Sequence, residues 1–123
     1  MSEAGDFHRG DIVLIPVPYI SDPSKVKERP AVVIQNDIGN RFSPNLIVAA
    51  ISSQIPSREY PIHFLVRTGS PEAEGTGLQK DSIVQTEIIL TIPKASVARR
   101  LGRFDEAAMR AIDQCLRVSL ALT

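Results

Sequence analysis

The chain has one cysteine, Cys115, in 123 residues. That excludes an intrachain disulfide and a cysteine-based zinc site, and it fits a reducing cytosol, so a cytoplasmic location is expected. The two histidines, His8 and His63, have no metal-ligand spacing. Asp37, Asp81 and Glu87 are isolated from one another, so a carboxylate cluster for Mg²⁺ is lacking. No glycine-rich phosphate loop of the P-loop or dinucleotide kind occurs. Neither a metal nor a cofactor is therefore expected. No apolar run approaches the length that spans a bilayer, and the opening Met1–Asp11 lacks the charged-then-apolar pattern of a signal peptide. Lys+Arg 14 balance Asp+Glu 14, for a formal net charge of zero. That argues against holding duplex DNA by charge alone, while leaving room for a local basic groove. Without repeats, low-complexity segments or a visible boundary, residues 1–123 read as one domain.

What is present is organised around Arg29-Pro30-Ala31-Val32-Val33-Ile34-Gln35-Asn36-Asp37. Pro30 pushes Arg29 out of the α region, and proline is tolerated at the first residue of a strand. Ala31–Ile34 is a short, β-branched apolar run suited to burial on both faces. Arg29 is thus expected at the entrance of a rigid strand, where its planar fork of donors suits a phosphate or a carboxylate. The competing reading is a simple ion pair with Glu28 or Asp37.

Taken in order, Ile12–Pro18 reads as a strand and Tyr19–Glu28 as a mobile loop. After the central strand, Asn36–Asn45 reads as a loop and Leu46–Ile51 as a second buried strand. Ile62–Val66 and Ser82–Ile92 read as strands separated by the loop Gly69–Gly77. About five short strands predict a small β-barrel or a strongly bent sheet. The tail reads as helical: a short piece at Lys94–Arg100, then a helix capped by Asp105, with Phe104 stapled to Met109. Met109, Ile112, Leu116 and Leu120 mark its apolar face. The class is mainly β with a C-terminal α-helix.

Three polar breaks stand out: Arg29, the strand end Ser52-Ser53-Gln54, and Glu87 inside an apolar run. An arginine and a hydroxyl suffice for metal-free phosphodiester transfer when the substrate supplies the nucleophile, as RNA does with its 2′-OH. Ser52 can equally be a strand-end hydroxyl satisfying a loop N–H. Phe42, beside Arg41, can stack a base or anchor its own loop. Lys94, Arg99, Arg100 and Arg103 can track a backbone, meet an acidic partner or stay solvated. His63 reads as a satisfied structural histidine.

At these residues the chain resembles the MazF/PemK/Kid family of toxin endoribonucleases. The resemblance rests on Arg9-Gly10-Asp11-Ile12-Val13, Arg29 to Asp37, Gly39-Asn40-Arg41-Phe42-Ser43-Pro44, Ile47 to Gln54, Lys80-Asp81-Ser82, Glu87 and the closing helix to Leu120. It spans nearly all of the chain after about residue 8, and the order and spacing of the pieces are what make it specific. It implies an SH3-like small β-barrel of the MazF/PemK/CcdB kind with a C-terminal helix, acting as a homodimer. It implies sequence-specific, metal-independent cleavage of single-stranded mRNA, leaving a 2′,3′-cyclic phosphate and a 5′-OH. It also implies a cognate antitoxin whose acidic tail fills the RNA groove. The catalytic pair falls on Arg29 and Ser52, and RNA-binding roles fall on Asn36, Arg41, Phe42, Ser53, Gln54, Lys80 and Glu87. The chain departs from the family pattern in having Ser52 in place of threonine, Ser24 where many members have a loop glutamate, and Ile88 and Leu90 where many have Gln and Arg. The alternative is a non-catalytic binding module, or a CcdB-like topoisomerase poison, on the same barrel.

Overall fold

The computed structural model describes residues 6–19 and 21–123. Its elements run β1 Asp11–Pro18, β2 Val26–Val33, α1 Asp37–Phe42, β3 Asn45–Ser52, β4 His63–Val66, β5 Ser82–Pro93, β6 Arg99–Arg103 and α2 Glu106–Leu120. Single 3₁₀ turns sit at Pro71–Ala73 and Lys94–Ser96. The strands form one six-stranded sheet in the order β4-β5-β3-β2-β1-β6, and each neighbouring pair is antiparallel. The sheet curls into a half-barrel whose two edges, β4 and β6, do not pair with each other.

Alternation along the central strands builds an apolar layer on each face. Ile12, Val32, Ala49, Ile51 and Val84 lie on one side beneath α2, against Phe104, Ala108, Ile112 and Leu116. Val13, Ile15, Ala31, Val33, Leu46 and Val48 lie on the other with Phe7. Burying each Val, Ile or Leu contributes roughly 1.5–3 kcal/mol. α2 begins where expected, because the Asp105 carboxylate accepts from the Ala108 N–H at 2.8 Å. Phe104 and Met109 share the same apolar cluster. The helix buries Ala108, Ile112, Cys115 and Leu116, whereas Leu120 is exposed.

The sequence expectations need four corrections. β2 starts at Val26, so the last three residues of the supposed loop Tyr19–Glu28 are strand, and Arg29 lies well inside β2, opposite Ile15. The loop Asn36–Asn45 holds α1, capped by the Asn36 side chain on the Gly39 N–H at 2.8 Å. The helical piece at Lys94–Arg100 is a 3₁₀ turn followed by β6, which pairs with β1. The strand count is therefore six.

β6 is held in place by charge and by close packing. Asp11 is fully buried, and its carboxylate takes Arg103 Nε at 2.9 Å, Arg100 Nε at 3.2 Å and the His8 N–H at 2.9 Å. A carboxylate out of water needs such partners. Gly102 lies against the backbone of Gly75 and Thr76, leaving no room for a Cβ. Gly77, at φ 73°, is similarly tight against Leu101.

Candidate functional site

β2 and β3 pair only over Ala31–Val33, with Ala31 opposite Ala50 as the last pair. Beyond it the strands part. Pro30, which has no N–H to donate, stands at the parting, where β2 is bonded only to β1. Two residues past that pair lie Arg29 on β2 and Ser52 on β3. With a period of two, both sit on the face that carries Ala31 and Ala50.

A groove of about 480 Å³ opens in the gap between the strands. Lys27, Arg29, Lys80 and Arg99 line it with one carboxylate, Glu28, and with Ser53. Cations gathered in a concave site attract an anionic chain more strongly than the same charges on a flat surface. Arg29 is half-buried and forms no side-chain hydrogen bond or ion pair among the described residues. The suggested pairing with Asp37 is not formed: that carboxylate accepts from the Arg9 N–H at 2.7 Å and from Asn40 Nδ2 at 3.1 Å. These bonds, the Arg9 N–H foremost, hold Asp37 below the usual carboxylate range.

Ser52 Oγ accepts from the Gln54 N–H at 3.0 Å. The strand-end role foreseen for this hydroxyl is thus present, and it leaves the hydroxyl proton free to be donated. Ser53 and Gln54 are exposed just beyond. Lys80 is presented by an anchored turn: Ser82 Oγ donates to its carbonyl at 2.9 Å, and Asp81 accepts from the Thr68 N–H at 2.8 Å and from Thr68 Oγ1 at 3.0 Å. Those two bonds, the backbone one first, lower the Asp81 pKa.

Residues 8–120 match the family described as PemK-like, MazF-like toxin of type II toxin–antitoxin system. The chain is 38% identical over 114 residues to endoribonuclease EndoA of Bacillus subtilis (strain 168), covering 93% of this chain and 94% of that protein. This chain belongs to the PemK/MazF-like toxins. Solved structures agree on the fold. A mycobacterial endoribonuclease superposes with TM-score 0.73 at 18% identity, over 94% of this chain and 92% of that one. A MazE–MazF crystal structure from Deinococcus radiodurans gives TM-score 0.73 at 14% identity, over 95% of this chain and 97% of that one.

On this toxin fold the remaining family positions divide by location. Asn36, Arg41 and Phe42 lie at α1, between the end of β2 and the start of β3, whereas Ser52 ends β3. The length of β3 puts them about 20 Å from Ser52. The Asn36 side chain caps α1, and the Arg41 guanidinium lies 5.3 Å from the Phe42 ring centre, with both residues exposed. Within one chain, then, Phe42 and Ser52 stand at opposite ends of β3. Glu87 is exposed where β5 bulges away from β3, and it meets His63 Nε2 at 2.9 Å. His63 is a partnered histidine, as the sequence suggests. Of the basic stretch, Arg100 and Arg103 are committed to Asp11, and Arg99 faces the groove.

Lys27 is a groove residue that the sequence reading did not place at the site, while Arg99 is the member of the foreseen basic stretch that lines it. Lys27 stands two residues from Arg29, the spacing that puts side chains on one face of a strand. That signal was hidden by reading Lys27 as part of a loop. Among the described residues, no helix is long and apolar enough to cross a membrane.

Proposed function

We propose that this chain is a toxin endoribonuclease that cuts single-stranded RNA, messenger RNA in the cytoplasm included, by transesterification without a metal. The 2′-oxygen loses its proton and bonds to phosphorus. The P–O5′ bond breaks, and the 5′-oxygen takes up a proton, leaving a 2′,3′-cyclic phosphate and a 5′-OH. Arg29 stabilises the charge that builds on the phosphoryl oxygens, and Ser52 donates to one of those oxygens or relays a proton. Lys27, Lys80 and Arg99 hold flanking phosphates, with Ser53 and Gln54 beside the cut.

The observation that carries this reading is the placement of an uncommitted guanidinium on β2 and an available hydroxyl on β3, each two residues beyond the last β2–β3 pair. The 38% identity to an endoribonuclease supports it. A cognate antitoxin with an acidic segment is the natural inhibitor of such a groove, and one similar structure is an endoribonuclease in complex with its cognate antitoxin. A homodimer is the proposed working form, in which Val118, Leu120 and Leu122, all exposed in the single chain, supply apolar contact surface.

The test is cleavage of a long single-stranded RNA in EDTA, with fragment ends mapped at nucleotide resolution, beside a copy carrying 2′-deoxy sugars at the mapped sites. Discrete cuts with 5′-OH ends that vanish at the deoxy positions are expected. Cuts that persist at deoxy positions, or that require added metal, would overturn the mechanism. A protein that cuts no RNA would be acting as a binding module instead.

A further inference from the structure

The cleavage groove does not end at the parted strands. Pro30 on β2 faces Leu14 on β1, and Leu14 faces Arg99 on β6. Arg99 therefore stands two strand spacings, roughly 10 Å, from the strand that carries Arg29. It lines the groove, and it also lines a second recess, about 350 Å³ in volume, together with Phe7, Lys94, Val97 and Arg100. Phe7 and Val97 pack into the cluster that holds Ile15, and Ile15 is the register partner of Arg29. The second recess thus opens on the sheet face that carries Arg29, and Arg99 joins the two.

Its lining is cationic in a chain whose formal net charge is zero, with Lys94, Arg99 and Arg100 present and no carboxylate among the lining residues. Lys94 and Arg99 form no side-chain hydrogen bond or ion pair among the described residues, so both can meet an anion. Arg100 is fixed in place. Its Nε lies 3.2 Å from the buried Asp11 carboxylate, its Nη2 donates to the Asp6 carbonyl at 2.6 Å, and its guanidinium carbon lies 5.2 Å from the Phe7 ring centre. The Arg100 side chain is nevertheless 41% exposed. A guanidinium backed by an aromatic ring leaves its outer plane to solvent, and such planes stack unpaired bases. The backbone beneath these cations is anchored: the Lys94 N–H donates to the Pro44 carbonyl at 2.9 Å, and the Ala98 N–H to the Leu14 carbonyl at 2.8 Å. Charges on a fixed segment cost little ordering when a strand binds them.

We propose that this recess is a distal site for the same single-stranded RNA. The strand leaves the cleavage groove over Arg99, a phosphate further along meets Lys94, and an unpaired base lies on Arg100. The inference rests on the RNA-cleavage reading above, and it adds a length requirement: only an RNA that extends past the cut on the β6 side gains these contacts.

The experiment uses the full chain in EDTA and a set of single-stranded RNAs that share one mapped cut and are lengthened stepwise on the 5′ side or on the 3′ side. For the wild type, kcat/KM should rise with length on one side only and level off once the strand spans the recess. Lys94→Ala should lose about three- to fivefold of that gain, Lys94→Glu should lose more, and Lys94→Arg should keep it. On the longest RNA, Lys94→Ala should also reduce the slope of log kcat/KM against log salt by about 0.7, the value for one phosphate contact. A wild type indifferent to length on both sides, or a Lys94→Glu variant that keeps the full gain, would overturn the distal site. With Arg29→Ala inactive on the same RNAs, either result would leave RNA cleavage standing. If the wild type cuts none of these RNAs, the parent reading falls and the distal site falls with it.

Discussion

Arg29 and Ser52 stand at the same step of the β2–β3 register, two residues beyond the Ala31–Ala50 pair at which the strands separate. The separation leaves the guanidinium without a cross-strand neighbour to neutralise it, and it opens the groove that an anionic chain can enter. Pro30 contributes by withholding an N–H where a longer ladder would close the gap.

Ser52 should tolerate threonine and not alanine. Ser52→Thr keeps the hydroxyl and adds a methyl that restricts χ1, so cleavage should match or exceed the wild type. Ser52→Ala removes a group proposed to act on the phosphate and should slow cleavage by about 10²-fold or more. Single-turnover rates on a defined RNA measure both, and an unimpaired alanine variant would reduce Ser52 to its bond with the Gln54 N–H.

Lys80 should act through charge. Lys80→Ala is expected to weaken binding of an all-2′-deoxy, non-cleavable single strand, and to reduce the slope of log K against log salt by about 0.7, the value for one phosphate contact. An unchanged slope would place Lys80 outside the binding track.

Gly102 tests the packing that holds β6 against the 75–77 turn. A Cβ there runs into the backbone of Gly75 and Thr76, which cannot yield as a flexible side chain can. Gly102→Ala should destabilise the fold by about 1–3 kcal/mol, seen as a lower urea midpoint. A midpoint equal to the wild type would mean that the turn moves freely.

Acid should weaken the link between α1 and the start of β1. Asp37 accepts from the Arg9 N–H and from Asn40, and its pKa lies below the ordinary value. A depressed folded-state pKa gives stability that is present above the unfolded value of about 3.9 and is lost as pH falls through the folded value. Wild type should therefore melt higher than Asp37→Ala at neutral pH, with the gap closing in strong acid. A gap independent of pH would assign the effect to packing.

Much of this was legible in the sequence because the signals are local. Asp105 before an apolar periodic run announced α2, and Arg29-Pro30 before Ala31–Ile34 announced a buried strand. β6 was missed because Val97 and Leu101, four apart, imitate a helix face. What makes the segment a strand is its pairing with β1, fastened by Arg100 and Arg103 on a buried Asp11 far away in sequence. α1 was missed although Asn36 and Asp37 are good helix-start residues, because Gly39 and the short length read as a turn. At the site, Arg29 and Ser52 were identifiable through chemistry and family resemblance, but their common register depends on long-range strand pairing. The same long-range geometry separates Phe42 from them and brings Lys27 and Arg99 in.

The most direct test of the central claim is the cleavage rate of Arg29→Ala on single-stranded RNA in EDTA, with circular dichroism and a urea midpoint taken on the same sample. The account predicts a folded protein whose cleavage falls by about 10²–10³-fold or more, the scale of a lost transition-state charge contact. A folded Arg29→Ala variant that cuts RNA at the wild-type rate would contradict it.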